Sequence, residues 1–282
     1  MLQLSGIAID AVSVGGLETC IQLPGQKLAF DIGRCPRSAV YRPTVAFTHA
    51  HMDHMGGVAF HCATRSLLGL SPPTYLVPHK NVKAFNALFH AWRQLDRSGL
   101  RHELVPIGPG EEHRLASGLL LRPFRSPHRV FCQGYVLWEE KQKLKAELLG
   151  TPGREIAAMK ERGVAITDTV SSPVFAFTGD TRIEVIEQEE ALRKARVLVL
   201  ECTFVDDRVS VEQCRSKGHV HLYEIRDRAE LFENQQILLT HFSARYRASD
   251  IEEALDKQLP PGLRERVTPL LKGHDAVAQA LV

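Results

Sequence analysis

Residues 48–57 read THAHMDHMGG and place four candidate metal ligands, His49, His51, Asp53 and His54, within six positions. They follow the apolar run VAF, which predicts a buried strand, so the ligands fall on a tight loop at a strand end. Imidazole and carboxylate groups together suit zinc. Because the ligands alternate, His49 and His51 can face one metal while Asp53 and His54 face a second. A lone histidine is more often structural, but this spacing before Gly-Gly predicts a metal centre.

Four segments, including the run VAF before the loop, predict buried strands, because each is short and nearly continuous in apolar character. They are TVAFTH, PVFAFTGD, ARVLVLE and QILLTHF. The segment CIQLPGQKLAFDIG adds a hairpin, since turn-forming residues 24–26 interrupt its apolar alternation. Strands interleaved with helices indicate an α/β layered protein.

Two helices are predicted with particular clarity. Apolar residues recur at helical spacing over 80–98, and we expect Phe85, Phe89 and Trp92 of that helix to face the core. The segment SDIEEALDKQL has a capping-box pattern headed by Ser249 and is closed by two prolines.

The chain has 282 residues, a length at which one layered domain is common, so we expect a single domain over 1–282. Residues 139–169 are the one compositional break, rich in Lys, Glu and Gly, and are expected to form an arm or insertion within that domain. The sequence contains no repeat or low-complexity tract.

Charge and cysteine content bear on the partner of the protein and on its compartment. The formal charge of +2 and pI near 8.2 are only faintly basic, so composition alone does not indicate a nucleic-acid partner. Six scattered cysteines without CxxC spacing predict reduced thiols in a cytoplasmic protein. The amino terminus lacks a signal-peptide pattern and no run of 18 apolar residues occurs, so we expect no membrane insertion.

The HxHxDH loop resembles the signature of the metallo-β-lactamase superfamily. That resemblance implies a four-layer αβ/βα sandwich, with the metals at one edge of its two sheets, and further ligands at later strand ends. His128 in FRSPHRV, Asp180 in FAFTGDT and His241 in ILLTHFS meet this expectation. The implied arrangement gives one metal His49, His51 and His128 and the other Asp53, His54 and His241, with Asp180 bridging the pair.

The expected cofactor is two Zn²⁺ per chain, although Mn²⁺ or Fe²⁺ would also suit these ligands. Two cations about 3.5–4 Å apart can stabilise the attacking and leaving oxygens of a phosphoryl displacement and acidify a shared water. The ligand set therefore indicates a metal-dependent hydrolase.

Within the superfamily, three motifs resemble the ribonuclease Z, or tRNase Z, family of tRNA 3′-processing endonucleases. They are LTHFSARY, VLVLECTF with Glu201, and KGHVH with His219. In that family the matching Glu and His form a proton-donating pair, so His219 is the expected general acid and Glu201 the group that orients it. His221 is the alternative acid, and Asp53 is expected to assist deprotonation of the water. A general acid is worth about 10²- to 10⁴-fold in rate.

The segments VSVGGLETCI, AFDIGRCP and FTGDT are most similar to the short plant-type form of that family. The resemblance implies endonucleolytic removal of the 3′ trailer from precursor tRNA, leaving a 3′-hydroxyl, and a homodimer in which one arm holds tRNA for the other subunit. Two sets of substrate-binding residues are expected: Arg245 and Tyr246 beside His241, and in the arm Lys141, Lys143, Lys145, Arg154, Lys160 and Arg162.

Three other functions fit parts of the pattern. A phosphodiesterase acting on cyclic nucleotides or other small diesters would use the same acid but would not need the arm. A thioesterase resembling glyoxalase II would not need Glu201 and His219, because a thiolate leaves without a proton donor. A metal-binding but catalytically silent scaffold protein would show no turnover.

Overall fold

Two mixed β-sheets of seven strands each form the centre of the computed structural model, which describes residues 1–279. The strands of the first sheet are β1 (Leu2–Leu4), β2 (Ile7–Val14), β3 (Glu18–Leu23), β4 (Leu28–Phe30), β5 (Thr44–Ala46), β6 (Thr74–Pro78) and β7 (Glu103–Ile107). Those of the second are β8 (His113–Arg114), β9 (Leu120–Ser126), β10 (Cys132–Leu144), β11 (Thr167–Phe177), β12 (Val197–Glu201), β13 (Gln236–Thr240) and β14 (Val267–Pro269).

Strand order follows the chain in each sheet, and the pairing changes from antiparallel to parallel midway. In the first sheet β1 to β4 pair antiparallel and β4 to β7 parallel. In the second, β8 to β11 pair antiparallel and β11 to β14 parallel. Because ligands gather at the carboxyl ends of parallel strands, each sheet offers one edge for a site.

Helices cover the outer face of each sheet. The first half of the chain contributes α1 (Met52–Met55), α2 (Val58–Leu67) and α3 (Val82–Asp96). The second half contributes α4 (Gly153–Glu161), α5 (Glu184–Gln188), α6 (Glu190–Lys194), α7 (Val211–Lys217), α8 (Leu222–Arg226), α9 (Ala248–Gln258), α10 (Pro261–Arg264) and α11 (His274–Gln279). No helix within residues 1–279 is long and apolar enough to cross a membrane.

Three apolar clusters hold these layers together. The central cluster lies between the sheets, where the rings of Phe30 and Phe175 stack with centroids 5.6 Å apart. A second cluster packs α2 and α3 on the first sheet, and a third packs α5 to α10 on the second. The four-layer sandwich expected from the sequence is confirmed.

The local predictions hold with two corrections. The turn at 24–26 and both helices are present, but α9 begins at Ala248 and its N-cap is Arg247, not Ser249. Asp250 accepts a hydrogen bond from the Arg247 backbone N–H at 3.2 Å, and Asp275 accepts one from the Ala248 N–H at 2.9 Å, so carboxylates satisfy the start of this helix. The core assignment of Trp92 is wrong, since the side chain is 43% exposed. Helical spacing gives the side of α3 that faces the sheet, but not how far along the helix the sheet extends.

Residues 139–169 continue β10 and β11 as a two-stranded hairpin. The pairing runs from Trp138 opposite Pro173 out to Leu144 opposite Thr167. The helix α4 lies in the connection between the two strands, and Leu148 is buried beside it. This extension, called the hairpin arm below, is therefore built on the sheet that also carries part of the metal site.

Candidate metal centre

The site lies where the carboxyl ends of the parallel strands meet. His49 follows β5, Asp180 follows β11, Glu201 is the last residue of β12, and His241 directly follows β13. His128 comes two residues after β9. Two sheets packed face to face bring these ends together at one edge, so residues far apart in sequence converge there.

Two glycines allow the HxHxDH loop to fold against the first sheet. His51 is the N-cap of the single-turn helix α1, which carries Asp53 and His54. A Cβ on Gly57 would lie 2.5 Å from the Ile32 carbonyl oxygen, and one on Gly33 would lie 2.1 Å from that of Asp53. Gly33 and Gly57 are therefore needed for the close approach of backbone to backbone.

The candidate ligands form two groups that share Asp180. His49, His51, His128 and Asp180 offer ligand atoms that all lie within 4.8 Å of one another, and so do Asp53, His54 and His241. Asp180 Oδ2 is 3.7 Å from His49 Nε2 and 3.9 Å from His128 Nε2. Its other oxygen, Oδ1, is 3.2 Å from His54 Nε2 and 3.4 Å from His241 Nε2. One carboxylate thus faces both groups, one oxygen to each.

The donor atoms of this cluster fit a metal. The Nε2 atoms of His54, His128 and His241 are buried and have no hydrogen-bond partner within the described chain. The opposite ring nitrogen of each is held, by Asp31 at 2.7 Å, by the Gly218 carbonyl at 2.7 Å and by Thr203 Oγ1 at 2.9 Å respectively. Metal-binding histidines characteristically use the second nitrogen in this way, which aims the first at the ion.

The charges around the cluster also suit a cation. Burial, and the neighbouring His54, lower the pKa of His49 well below its usual range, which leaves a neutral ligand. Burial raises the pKa of Asp180, but His241 and His54 outweigh it and hold that pKa well below the usual range. Burial lowers the pKa of His54, yet Asp180 and Asp31 raise it well above normal. The carboxylates of Asp180 and Asp31 both face the His54 imidazole, so added positive charge would stabilise the cluster. A bound divalent cation would supply that charge.

Glu201 and His219 form a second functional unit beside the ligands. His219 Nδ1 is 2.9 Å from Glu201 Oε1, and its ring centroid lies 5.2 Å from those of both His128 and His241. Glu201 is held by the Thr181 backbone N–H at 2.7 Å and by the Thr203 hydroxyl at 2.6 Å. Burial lowers the pKa of His219, but Glu201 outweighs it and raises that pKa to about 9. The imidazole is therefore protonated at neutral pH.

Distance alone also groups His219 with Asp180 and His241 as a possible ligand set. The 2.9 Å contact to Glu201 uses the His219 nitrogen, Nδ1, that lies 4.0 Å from Asp180. A nitrogen paired with a carboxylate in this way carries a proton and has no lone pair for a metal.

His221, the alternative acid, lies apart from the ligands. Its side chain is fully buried, and Nδ1 accepts a hydrogen bond from the Tyr223 backbone N–H at 3.2 Å, which caps α8. Nε2 donates to the carbonyl oxygens of Val209 and Asp206 at 3.1 and 3.2 Å. Both ring nitrogens of His221 are used in hydrogen bonds within the fold, so the structure favours His219 as the group that is free to exchange a proton.

Sequence reasoning missed two residues of the site. Asp31 directly follows β4, is fully buried, and accepts hydrogen bonds from the Thr48 backbone and hydroxyl at 2.9 and 2.7 Å as well as contacting His54. Thr203 Oγ1 joins Glu201 to His241. The carboxylate at the end of the run LAFD was a signal for Asp31, but the sequence contains no comparable signal for Thr203.

The two residues expected to bind substrate are placed differently. Arg245 is exposed, its Nε donates to Ser243 Oγ at 3.0 Å, and its guanidinium lies 5.2 Å from the Phe204 ring centroid. Tyr246 is only 2% exposed, and its hydroxyl lies 3.3 Å from Asp206 Oδ1. The expectation that Tyr246 stacks on a base is corrected, because its ring offers no open face.

Comparison with known proteins agrees with this geometry. Residues 20–242 match the family described as the β-lactamase superfamily domain. A tRNase Z of Arabidopsis thaliana, TRZ1, is 46% identical over 96% of this chain and 98% of its own length, and the chloroplastic TRZ2 of that plant is 39% identical over 96% and 77%. Among solved structures, the metallo-β-lactamase fold protein YhfI of Bacillus subtilis superposes with a TM-score of 0.62 at 14% identity, covering 93% of this chain and 96% of its own. The short form of human tRNase Z superposes with a TM-score of 0.57 at 16% identity, covering 84% and 93%.

The fold and the ligand cluster define a metallo-β-lactamase-type protein with a divalent metal site. The match to the plant sequences extends over nearly the whole chain, and it identifies a family within that class. The chain belongs to the tRNase Z family of the β-lactamase superfamily.

Proposed function

We propose that this protein removes the 3′ trailer from precursor tRNA by metal-dependent phosphodiester hydrolysis, leaving a 3′-hydroxyl on the tRNA. One observation carries the proposal: a buried His–Asp cluster suited to divalent metal lies directly beside the paired His219 and Glu201. A ribose 3′ oxygen is a poor leaving group, so a phosphodiester of RNA needs the proton donor that a thioester does not. The plant relatives named tRNase Z support the choice of substrate.

The proposed cofactor is a pair of zinc ions, with Mn²⁺ or Fe²⁺ as chemically suitable substitutes. His49, His51 and His128 would hold one ion, Asp53, His54 and His241 the other, and the two oxygens of Asp180 would face one ion each. Bound there, the pair would polarise the scissile phosphate and acidify a water molecule. Elemental analysis of the purified protein tests the expected content of two ions per chain, and one ion per chain would contradict it.

We assign the proton transfers to this chain's own side chains. Because Nδ1 of His219 is engaged by Glu201, Nε2 is the nitrogen left to protonate the departing 3′ oxygen. Glu201 keeps the imidazole charged and oriented. Asp53, whose Oδ2 accepts a hydrogen bond from the Gly16 backbone N–H at 3.0 Å, is placed among the ligands and would assist deprotonation of the attacking water.

The test of the activity is cleavage of a 3′-extended precursor tRNA by metal-loaded protein, with bis(p-nitrophenyl) phosphate as a parallel substrate and His49→Ala as the control. A discrete cut after the acceptor stem, absent in His49→Ala, is expected. Turnover of the small ester without cleavage of the tRNA would instead support a small-molecule phosphodiesterase. No turnover of either would leave the silent scaffold as the better account.

We further propose that the hairpin arm contacts tRNA. Lys141 and Lys143 alternate along β10, so they lie on one face of the strand, and Lys145 directly follows its last residue. Lys141 pairs with Glu139 at 2.8 Å and Lys145 with Glu147 at 3.9 Å, whereas Lys143 has no carboxylate within ion-pair distance in residues 1–279. This face supports phosphate contact, since the unpaired Lys143 on an exposed strand supplies sequence-independent affinity.

Adjacent positions of β10 provide a matched test of that face. Lys143→Gln and Gln142→Glu change the net charge equally, but their side chains lie on opposite faces of the strand. We expect Lys143→Gln to raise KM for precursor tRNA and Gln142→Glu to change it little. Equal effects of the two variants would mean that overall charge, not this face, matters.

A homodimer is the proposed assembly, supported by an apolar surface on the outer helices of the first sheet. Leu67 is 84% exposed and Leu95 is 77% exposed, and Phe60, Leu68, Leu88 and Trp92 are exposed on the same helical layer. Several large apolar side chains exposed on one helical layer often mark an interface. Leu67→Asp with Leu95→Asp should give a monomer by analytical ultracentrifugation, whereas Lys257→Asp on the opposite outer layer should not. A wild-type monomer would refute the proposal.

We also propose that the protein works in the cytoplasm. All six cysteines are free and buried, which suits a reducing compartment. Because one relative is named chloroplastic and another nuclear, imaging of a tagged protein in its own cells is the deciding test. Enrichment in an organelle or in the nucleus would overturn the assignment.

A further inference from the structure

Two cations lie against one aromatic ring beside His219. Lys217 Nζ and the Arg245 guanidinium carbon are each 5.2 Å from the centroid of the Phe204 ring. Phe204 is only 3% exposed, whereas both cationic side chains are exposed. The two positive groups therefore lie no further apart than twice that distance, with their charges open to solvent.

Within residues 1–279 neither cation has a charged partner. No carboxylate there lies within ion-pair distance of Lys217 or Arg245, and the side-chain hydrogen bond of Arg245 goes to the neutral Ser243 hydroxyl. Nearby arginines are different: Arg208 pairs with Asp206 and Asp250 at 2.8 and 3.2 Å. A ring face attracts each cation without neutralising it, so both keep their positive charge available to an anion.

Both cations are attached to the catalytic edge through short connections. Lys217 ends α7, and only Gly218 separates it from His219. Arg245 lies four residues beyond His241, in a turn closed by the Tyr246 backbone N–H and the Ser243 carbonyl at 3.1 Å. A β-bridge between Phe204 and His221 joins the segments that carry the ring and the acid. Their positions are therefore tied to that of the proton donor.

We propose that Lys217 and Arg245 bind one non-scissile phosphate of the RNA, the phosphate on the 5′ side of the nucleotide whose 3′ oxygen departs. This inference rests on the proposed function. Since His219 meets the departing 3′ oxygen, the groups beside it face the nucleotide that owns that oxygen, and hence that nucleotide's own 5′ phosphate. An arginine can bind phosphate through two parallel hydrogen bonds and a lysine acts as a point charge. Contact with this second phosphate favours an RNA chain, which carries it, over a small diester, which does not.

The experiment compares wild type, Lys217→Ala, Arg245→Ala and the double variant on two precursor tRNAs. One precursor is natural, and the other carries an uncharged methylphosphonate at the phosphate named above. On the natural precursor the double variant should lose about ten- to a hundredfold in kcat/KM, and the salt dependence of KM should weaken by about one phosphate contact. On the methylphosphonate precursor wild type should lose a similar factor, and the double variant should lose little more.

Lys257→Ala is the matched control, because it removes an exposed lysine from the last turn of α9 as Lys217→Ala does from the end of α7. It should retain wild-type kcat/KM on both precursors. A double variant that loses as much on the methylphosphonate precursor, or as much on bis(p-nitrophenyl) phosphate, would overturn the phosphate assignment. Wild type that cuts no precursor tRNA would refute the proposed function itself, and this inference with it.

Discussion

Replacing Glu201 with glutamine should make the reaction dependent on pH in the neutral range. In wild type burial lowers the pKa of His219, but Glu201 outweighs it and, with Asp180, raises that pKa from the ordinary value of 6.5 to about 9, a net preference of about 3 kcal/mol for the protonated ring. The glutamine oxygen can still accept from the Thr181 N–H and from His219, whereas its amide nitrogen no longer accepts from the Thr203 hydroxyl and the Val220 N–H, which both bond Oε2 in wild type. The variant therefore keeps the contact to His219 and loses the negative charge.

The magnitude follows from the fraction of His219 that remains protonated. Without that charge, burial, the largest influence on this ring, takes the pKa of His219 below 6.5. His219 is then at most about one-tenth protonated near pH 7.5 and gains protons as the pH falls toward 6. A general acid acts only in its protonated form, so kcat of Glu201→Gln on precursor tRNA should fall at least about tenfold near pH 7.5, and the defect should shrink as the pH falls toward 6. Wild type should keep its rate until the pH approaches about 9 and lose it above.

The assay is single-turnover cleavage of precursor tRNA across pH, with bis(p-nitrophenyl) phosphate as the internal control. Nitrophenolate leaves without a proton, so the small ester should be much less sensitive to the variant. His219→Ala should show no such pH dependence and should retain its metal. A Glu201→Gln defect of the same size at both pH values, or of the same size on both substrates, would refute the reasoning.

Three further predictions concern the metal site and the core. Asp31→Ala leaves the buried Nδ1 of His54 unpaired and should weaken metal binding by about 10- to 100-fold in a chelator competition, and unchanged affinity would contradict its role in orienting His54. Gly57→Ala places a Cβ against the Ile32 carbonyl and should lower the free energy of unfolding by about 1–3 kcal/mol as well as metal content, and wild-type values for both would contradict the close-packing argument. Phe89→Ala should cost about 3–5 kcal/mol in urea unfolding, whereas Trp92→Ala should cost well under that; similar losses would mean that both rings lie in one core.

Local sequence patterns were enough to predict the parts of this protein that depend on neighbouring residues. Apolar runs of three or four residues identified the buried strands, and helical spacing identified α3, because local periodicity reflects which face an element buries. The HxHxDH loop is also local, since its four ligands lie within six consecutive positions after the strand. The resemblance to tRNase Z added His128, Asp180 and His241 at later strand ends, and a fold in which those ends meet.

The tertiary structure was needed for every feature that depends on contacts between distant segments. It showed that Asp180 turns one oxygen to each ligand group, that Thr203 joins Glu201 to His241, and that Tyr246 is buried. It also showed that the cations of Lys217 and Arg245 both lie against the Phe204 ring. Periodicity specifies the face of an element but not the partner that covers it, nor where that partner ends. Those facts follow from packing two sheets and their helices against each other, which joins residues that the chain keeps far apart.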